Sequence, residues 1–465
     1  MEPRTLKFVA DATEGELLNA SPARLIERIS TDSRRAQADD LFFALAGERF
    51  DGHSFLPDVA AQGVAAIVAE RRKLPSGFAG VPLIAVDDTR RALGRLGAAY
   101  RREFDLPIIA VGGSNGKTTT KELIASVLRQ KKSSLWSEAS FNNDVGVPLT
   151  LLNLARSHQA AVLEAGTNHP GELQPLLRMI LPRFGVITNI GREHLEFFHD
   201  LVGVAREEGA VAEALPSDGV LFLNGDNPWS EALARRTRAR VVTVGLDNNN
   251  DCVARDVRID ENGATFHVDC RYPGVSGEYR IKLLGRHQVI NALLALAVGA
   301  EMGFGRAEIE RGLLACVPAK MRLQLCSPNG IRVLEDCYNA NADSMLAALQ
   351  TLRELPCRGR RIAVLGDMAE LGGCSRAAHV EVGRRAAQSR LDRLFAIGHR
   401  ASQIAAAARD RGLKSVVEIG DVEPAAQAVK EFARPGDVVL VKASRSMRLE
   451  RITEALRGDC ASHHE

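Results

Sequence analysis

The sequence predicts an α/β protein with a central, doubly wound and mostly parallel sheet, and with smaller α/β domains before and after it. A chain of 465 residues is too long for one ordinary core. Between Pro107 and Cys316, short apolar runs alternate with helical stretches, as in a sheet that is buried on both faces. The alternation resumes after Pro318. We therefore expect three domains, at residues 1–105, 106–316 and 317–465.

The predicted strands are apolar runs bounded by turn residues. In the first domain they are Ala65–Val68 and Leu83–Val86, followed by a helix over Arg90–Phe104. The central strands are Ile108–Val111, Ala160–Leu163, Phe184–Ile187, Val220–Leu223 and Arg240–Val244. Alternating polarity over Val253–Leu284 predicts an antiparallel insertion or edge. The last domain has strands at Ile331–Leu334, Arg361–Leu365, Leu394–Ile397, Val416–Ile419 and Val438–Val441, and a helix over Ala340–Leu352.

Composition excludes several classes of protein. A formal net charge of +2 lacks the clustered basic excess of a nucleic-acid binder. The N-terminus has no apolar signal region, and no stretch of about 18 apolar residues occurs. We expect a cytoplasmic protein that neither crosses nor binds a membrane. Its eight cysteines form no C-x-x-C pair, so we expect reduced thiols rather than a zinc or redox site.

A glycine-rich loop connects the predicted strand Ile108–Val111 to a predicted helix over Lys117–Gln130. Its residues are Gly113, Ser114, Asn115, Gly116, Lys117, Thr118 and Thr119, here called the phosphate loop. Glycines let backbone N–H groups converge on an anion at the helix N-terminus. A lysine then reaches the β- and γ-phosphates, and the next hydroxyl binds Mg²⁺. The spacing is G-x-x-G-K-T, because Val111 stands where the longer motif has glycine. The alternative is a glycine-rich turn with an exposed lysine.

Two further residues end central strands and are candidate metal ligands. Glu164 closes the run Ala160–Leu163, and carboxylates at the carboxyl ends of parallel strands face the ligand crevice. His194 follows the strand Phe184–Ile187 in Arg192-Glu193-His194-Leu195. Alone, Glu164 could be a surface acid and His194 a structural histidine.

Together these features resemble the Mur ligases, ATP-dependent amide ligases of peptidoglycan synthesis, over nearly the whole chain. Thr31–Arg34 and Gly47–Phe55 are similar to the family's uridine-nucleotide domain, which implies that Ser33, Arg34, Asp51 and His53 contact that nucleotide. Gly285–Ala292 resembles the helix start that contacts adenine, with Asn291 in place and Gln288 where asparagine is usual. Arg322 and Asp336 match further nucleotide contacts, although each alone could be a surface charge.

Within the family, five motifs are similar to those of the member that adds the terminal dipeptide. They are Asn142–Pro148, Asn168–Glu172, Glu335–Asn341, Leu365–Gly372 and Lys442–Ser446. The D-N-P-R motif of the diaminopimelate-adding member is absent. The resemblance therefore implies UDP-N-acetylmuramoyl-tripeptide and D-alanyl-D-alanine as substrates. It also implies that Asn142, Asn143, Asn339, Ser444 and Arg445 bind substrate. Lys442 and Arg445 are partners for the dipeptide carboxylate or, alternatively, a solvated basic turn.

The implied chemistry is carboxylate activation by ATP as an acyl phosphate, which the dipeptide amine then attacks. Phosphoryl transfer is catalysed mainly by positioning and charge neutralisation. The resemblance implies Lys117 at the phosphates, Mg²⁺ on Thr118 and Glu164, and a second cation on His194. The last domain is implied to close over the other two.

One position departs from the family. Most Mur ligases carry, fourteen residues after the histidine that matches His194, a lysine that is carbamylated. Here that residue is Glu208, and no lysine lies between Lys132 and Lys282. We hypothesise that Glu208 supplies a permanent carboxylate, directly or through a metal-bound water. The alternative is an acid on the helix surface.

Two other functions remain open at this point. One is a related ligase, such as a folylpolyglutamate synthase, and the other is a non-catalytic ATP-binding partner. We expect a monomer. The sequence identifies neither the third residue of the acceptor peptide nor the base that deprotonates the amine.

Overall fold

The computed structural model describes residues 1–47, 50–75, 78 and 80–458. Glu48 and Arg49, which belong to the motif Gly47–Phe55, lie outside the described residues, as does the C-terminal segment 459–465. The chain divides into two compact units. Unit 1 contains residues 1–110, 132–167 and 172–184, and unit 2 contains residues 111–131, 168–171 and 185 onwards.

Unit 1 contains a five-stranded sheet near the N-terminus. Its strands follow the order Glu16–Leu18, Leu83–Val86, Ala66–Glu70, Leu41–Phe43 and Ile29–Ser30. The first pairing is antiparallel and the other three are parallel. A separate antiparallel pair joins Arg4–Thr5 to Leu25–Ile26. The helices of this region are Leu6–Thr13, Leu56–Ala61 and Thr89–Arg101.

The rest of unit 1 supplies central strands of the chain. Three strands are neighbours in the order Ile108–Gly112, Ala160–Glu164 and Ser134–Trp136, with the last two parallel. The last two residues of Ile108–Gly112 belong to unit 2 and lead into the phosphate loop. The helices of this part of unit 1 are Gly146–Leu151 and Leu173–Ile180.

Unit 2 begins with the helix Lys117–Leu128, here called the loop helix. Its central strands are neighbours in the order Phe184–Ile187, Val220–Asn224, Arg240–Gly245, Cys252–Asp260, Gly263–Cys270 and Gly277–Ile281. The pairings on either side of Arg240–Gly245 are parallel, and the last two pairings are antiparallel. The predicted antiparallel edge is therefore confirmed. The accompanying helices are Leu195–Phe198, Leu201–Glu208, Ala210–Glu213, Ser230–Ala234, Arg286–Glu301 and Arg306–Ala315.

A six-stranded sheet occupies the C-terminal part of unit 2. Its order is Gln324–Cys326, Arg332–Glu335, Val438–Lys442, Arg361–Gly366, Arg393–Ile397 and Val416–Ile419. Only the first pairing is antiparallel. The flanking helices are Ala342–Glu354, Ser375–Gln388, Ala401–Asp410, Val422–Phe432 and Glu450–Arg457. Separate apolar clusters pack against the sheet, one around Leu349 and Leu440 and the other around Val439 and Ile452.

The predicted α/β class with mostly parallel sheets is confirmed, while the three domain boundaries stay a prediction. Helix ends differ where a side chain caps the backbone. The helix predicted from Ala340 begins at Ala342, because the Asn341 side chain accepts a hydrogen bond from the N–H of Ser344. The helix predicted from Arg90 begins at Thr89, because Asp88 accepts from the N–H of Arg91. None of the described helices is long and apolar enough to span a membrane.

The expectation of reduced thiols is wrong for two cysteines. Cys252 and Cys270 lie opposite each other on neighbouring antiparallel strands and form a disulfide bond. Their separation of 18 residues gave no sign of this contact, because the pairing register of the two strands places them together. Among the described residues, the free cysteines are Cys316, Cys326, Cys337, Cys357 and Cys374.

The loop helix is held against the helix Arg306–Ala315 by close packing. A Cβ atom on Gly312 would lie 2.5 Å from Cα of Val127, so the helix Arg306–Ala315 approaches the loop helix at backbone contact. The hydroxyl of Ser126 donates to the carbonyl of Gly312 at 2.6 Å. The position of the phosphate loop therefore depends on a glycine almost two hundred residues away.

We expect Gly312→Ala to lower the free energy of unfolding by about 1 to 3 kcal/mol, because the added methyl group forces two backbones apart. Urea denaturation would measure the change. Gly420→Ala is the matched control, since a Cβ there meets no atom within 4 Å. Equal stability of the two variants would contradict the prediction.

Candidate active site

The phosphate loop adopts a conformation that two glycines make possible. Gly113 and Gly116 have φ of +109° and +87°, in the region that favours glycine. A Cβ on Gly113 would lie 2.3 Å from Oγ1 of Thr188, and one on Gly116 would lie 2.6 Å from Oδ1 of Asn291. The loop is therefore pressed against the chain that follows strand Phe184–Ile187 and against the helix that carries Asn291.

Hydrogen bonds to Thr188 and Asn189 fix the phosphate loop in this position. The N–H of Ser114 donates to the carbonyl of Asn189 at 2.9 Å, and the N–H of Asn115 donates to its side-chain oxygen at 2.8 Å. The hydroxyl of Thr188 donates to the carbonyl of Asn115 at 2.6 Å. Gly116 then caps the loop helix, whose first N–H groups have no partners within the helix. Such a helix start is suited to binding phosphate.

Lys117 folds back over the loop instead of pointing into solvent. Its ammonium donates to the carbonyl of Gly113 at 2.6 Å and lies 3.3 Å from Oε2 of Glu193. Only 13% of the Lys117 side chain is exposed. The alternative of a turn with an exposed lysine is therefore wrong.

Glu208 is completely buried beneath the phosphate loop. Its Oε2 accepts a hydrogen bond from the N–H of Gly113 at 2.5 Å. The pKa of this carboxyl is raised to about 8: burial raises it most, the charge of Lys117 lowers it, and the charge of Glu193 raises it. The alternative of a helix-surface acid is wrong. The helix Leu201–Glu208 comes close enough for the shorter glutamate to contact the loop.

His194 begins the short helix Leu195–Phe198 and has a left-handed backbone with φ of +45°. Its Nδ1 forms a short hydrogen bond with the carboxylate of Glu370. This bond is the main cause of the lowered pKa of Glu370. The neighbouring Glu193 is 4% exposed and faces Lys117. Glu193 and His194 are adjacent in the chain but contact different parts of unit 2.

Glu164 ends its strand in unit 1 and is 1% exposed. The side-chain amide of Asn142 donates to its Oε1 at 2.8 Å. Asn142 packs so closely that a Cβ on Gly166 would lie 2.5 Å from its Nδ2. Asn143 accepts from the N–H groups of Val145 and Gly146 and so fixes the turn before the next helix. The surface-acid alternative for Glu164 is wrong.

The buried side-chain oxygens without a hydrogen-bond partner in the described part of the chain include Oγ1 of Thr118, Oε1 of Glu193 and Oε1 of Glu208 in unit 2, and Oε2 of Glu164 in unit 1. Unpaired buried carboxylate oxygens are costly unless a cation binds them. No group of three or more His, Cys, Asp or Glu side chains arranged for a metal occurs in the part of the chain that the structure describes. Mg²⁺ is usually held by one or two carboxylates together with phosphates and waters. The three oxygens in unit 2 are therefore suited to binding a cation.

The candidate nucleotide contacts beyond the loop all belong to unit 2. Asn291 is 6% exposed, and its amide donates to Oε1 of Gln288 at 2.8 Å. Asp336 pairs with Lys442 at 2.6 Å and accepts from the N–H of Leu323. The guanidinium of Arg322 lies 4.2 Å from the centre of the Tyr338 ring. None of these residues is a simple surface charge.

The candidate dipeptide residues lie around the same strand end. Lys442 is 2% exposed and also donates to the carbonyl of Asn339 at 3.1 Å, so it does not belong to a solvated basic turn. Ser444 accepts from the N–H of Ala369 at 2.8 Å. Arg445 is half exposed and pairs with Glu450 at 2.7 Å.

The candidate uridine residues of unit 1 differ in exposure. Arg34 is 85% exposed and pairs with Asp32, while the carbonyl of Ser33 accepts from Gln62. His53 is 6% exposed, and its Nε2 accepts from the N–H of Glu70 while its Nδ1 contacts Asp51 at 2.6 Å. Both ring nitrogens of His53 therefore hold the loop, and its predicted substrate contact stays a prediction.

Several residues of the site were not predicted as site residues. They are Thr188, Asn189, Arg192, Glu193 and Glu370. The acid that precedes His194 was a signal for Glu193. The others are visible only when separate segments fold together, because each acts through a contact with a distant residue.

Comparison with known proteins identifies the family. The family models described as "Mur ligase family, catalytic domain", "Mur ligase middle domain" and "Mur ligase, glutamate ligase domain" match residues 25–101, 111–299 and 321–445. The chain is 37% identical over 459 residues to the UDP-N-acetylmuramoyl-tripeptide–D-alanyl-D-alanine ligase of Bacillus subtilis (strain 168), covering 98% of this chain and 99% of that protein.

Two solved structures are similar along nearly the whole chain. The crystal structure of MurF from Acinetobacter baumannii has a TM-score of 0.89 at 32% identity, covering 98% of this chain and 99% of that one. The MurF ligase of Thermotoga maritima, solved in complex with ADP, has a TM-score of 0.81 at 26% identity and covers 93% and 97% of the two chains. With its phosphate loop and buried acids, the chain thus belongs to the Mur ligase family, among the UDP-N-acetylmuramoyl-tripeptide–D-alanyl-D-alanine ligases.

Proposed function

We propose that this chain uses ATP to join D-alanyl-D-alanine to UDP-N-acetylmuramoyl-tripeptide, giving ADP, phosphate and the pentapeptide product. The observation that carries the proposal is the meeting of Lys117 and the buried carboxylate of Glu208 at Gly113. A cation above the loop and an acid beneath it suit phosphoryl transfer. The substrates are those named for the relatives that match the chain from end to end.

The reaction needs activation because a carboxylate and an amine do not condense in water unaided. The terminal carboxylate of the tripeptide attacks the γ-phosphate, and the resulting acyl phosphate is attacked by the dipeptide amine with loss of phosphate. Lys117 holds the β- and γ-phosphates. Its ammonium neutralises the negative charge as that charge shifts from one phosphate oxygen to another during transfer. The loop helix adds the partial positive charge of its N-terminus.

Mg²⁺ is the proposed metal, and it would neutralise the anions that must approach each other during phosphoryl transfer. The family resemblance assigns the first ion to Thr118 and Glu164, and each of these residues has, within its own unit, a buried oxygen without a hydrogen-bond partner. His194 and Glu208 would hold the second. Nδ1 of His194 bonds Glu370, which orients the ring and leaves Nε2 as the nitrogen that would bind a cation.

Glu208 is the proposed replacement for the family's carbamylated lysine. Its contact with the N–H of Gly113 removes the objection that a glutamate is too short to reach the loop. Its other oxygen has no hydrogen-bond partner. Because the carboxylate belongs to the side chain itself, the protein needs no carbon dioxide to complete the site.

The remaining roles follow the family resemblance. Asn142, Asn143, Asn339, Ser444 and Arg445 would bind substrate, with Lys442 and Arg445 as partners of the dipeptide carboxylate. Ser33, Arg34, Asp51 and His53 would bind or shape the uridine site. We further propose a cytoplasmic monomer. A folylpolyglutamate synthase would add glutamate instead, and a non-catalytic partner would release no phosphate.

We expect Lys117→Met to lower kcat by about 10²- to 10³-fold, because the charge at the γ-phosphate is lost. Phosphate release in the presence of ATP, tripeptide nucleotide and radiolabelled D-alanyl-D-alanine would measure it. Label in the nucleotide product identifies the dipeptide ligase. Incorporation of glutamate but not of the dipeptide, or phosphate release without either acceptor, would contradict the proposed function.

We expect Glu208→Gln to lower kcat by about 10²-fold, because the amide keeps the hydrogen bond to Gly113 but carries no charge. We expect Glu208→Lys to be inactive in bicarbonate-free buffer and to regain activity when bicarbonate is added. Glu207→Gln, on the same helix, is the matched control and should behave as wild type. Full activity of Glu208→Gln would refute the proposed role.

A further inference from the structure

Four consecutive residues, Gly191–His194, contact the phosphate loop and the C-terminal region of unit 2 in alternation. The N–H of Gly191 donates to the hydroxyl of Ser114 at 2.8 Å. Glu193 pairs with Lys117. Between and after them, Arg192 and His194 contact residues beyond 340. This segment therefore connects the loop to the region that we propose binds the dipeptide.

Arg192 makes the most extensive of these contacts. Its backbone N–H donates to Oδ2 of Asp343 at 2.7 Å, and its Nε and Nη2 donate to Oδ1 at 2.8 and 2.6 Å. Its Nη1 donates to Oε2 of Glu381 at 2.5 Å. One guanidinium thus joins two carboxylates on separate helices, and its planar fork matches both.

Asp343 lies in the first turn of Ala342–Glu354, a helix that also reaches the phosphate loop. The amide of its capping residue Asn341 donates to Oδ1 of Asn115 at 2.9 Å. A Cβ on Gly191 would lie 2.8 Å from Oδ2 of Asp343, so the helix start is in close contact with the Gly191–His194 segment. Arg192 is therefore tied to the same helix end that touches the loop.

A small pocket lies beside these ion pairs. It has a volume of about 160 Å³ and is next to Arg192 and Glu381. Its other lining residues are Leu195, Ala342, Leu371, Cys374, Ala377 and Ala378. Both ion pairs of Arg192 are partly exposed, and such pairs are weaker and more sensitive to salt than a packed core.

We propose that Arg192 is a positioning residue, which docks the C-terminal region onto the phosphate loop through Asp343 and Glu381 and so sets the affinity for the dipeptide. This inference rests on the proposed function. It assigns Arg192 no contact with substrate. If only the docked state binds the dipeptide productively, the apparent dissociation constant is the intrinsic one divided by the docked fraction.

The test is the steady-state kinetics of Arg192→Ala with the dipeptide varied. We expect the KM for D-alanyl-D-alanine to rise about tenfold, with kcat within about twofold of wild type, because saturating dipeptide restores docking. The dissociation constant for ADP should rise less than the KM for the dipeptide, since the phosphate loop keeps its own contacts and only the proposed contacts of Arg322 and Asp336 move with the C-terminal region. Arg192→Lys keeps the positive charge but loses the planar guanidinium, so its KM for the dipeptide should lie between those of wild type and Arg192→Ala. A rise in KM for ATP with none for the dipeptide would overturn the proposal.

Glu381→Ala provides a second route, because this partly exposed acid can be removed with little risk to folding. It should raise the same KM, and the double variant should show less than the product of the two effects. High salt should raise the KM of wild type toward that of Arg192→Ala. Independent effects of the two substitutions, or identical salt responses, would overturn the proposal.

Arg255→Ala is the matched control, since it removes an ion pair of similar exposure at the antiparallel edge. It should leave the KM for the dipeptide unchanged. Hydrogen exchange gives a readout that needs no turnover: Arg192→Ala should speed exchange in peptides covering residues 191–199 and 369–381, but not in residues 252–270. Unchanged exchange there would overturn the docking role. Failure of wild type to use the dipeptide would instead refute the proposed function.

Discussion

The close approach of Gly113 to Thr188 is the constraint on which the rest of the site depends. No side chain fits at Gly113, because a Cβ would overlap Oγ1 of Thr188. With the loop seated there, the N–H of Gly113 meets Glu208 and its carbonyl meets Lys117. A single residue without a side chain thus contacts the carboxyl of Glu208 through its N–H and the ammonium of Lys117 through its carbonyl.

The buried charges around Gly113 do not cancel, because acids outnumber the ammonium. The carboxyls of Glu208 and Glu193 both face the ammonium of Lys117. The pKa of Glu208 is raised to about 8, chiefly by burial. A site with surplus buried acid and unpaired oxygens is costly for folding and favourable for cation binding. Under the proposed function, a bound cation would offset this surplus of acid and lower the pKa of Glu208, which would then be a carboxylate where the family resemblance implies a carbamylated lysine.

Much of the fold was predictable because a strand that is buried on both faces of its sheet is a continuous apolar run, which is visible in the sequence. Phe184–Ile187 and Val416–Ile419 have the predicted bounds, and the phosphate loop lies where the glycines indicated. The predictions failed where a distant partner decides the outcome. Cys252 and Cys270 pair through strand register, and Lys442, which could have belonged to a solvated turn, is buried against Asp336. Neither contact has a periodicity that a local pattern could reveal.

The sequence by itself determined the α/β class, the phosphate loop, the acids at the ends of the strands and the departure at Glu208. These are local properties, since they depend on residue type and on spacing along one strand or helix. Only the tertiary structure decided that Glu208 is buried under Gly113, that His194 bonds Glu370, and that Arg192 joins two helices. Those contacts join residues between 95 and 189 positions apart. Which side chains meet over such distances depends on helix packing and sheet order, which no short stretch of sequence specifies.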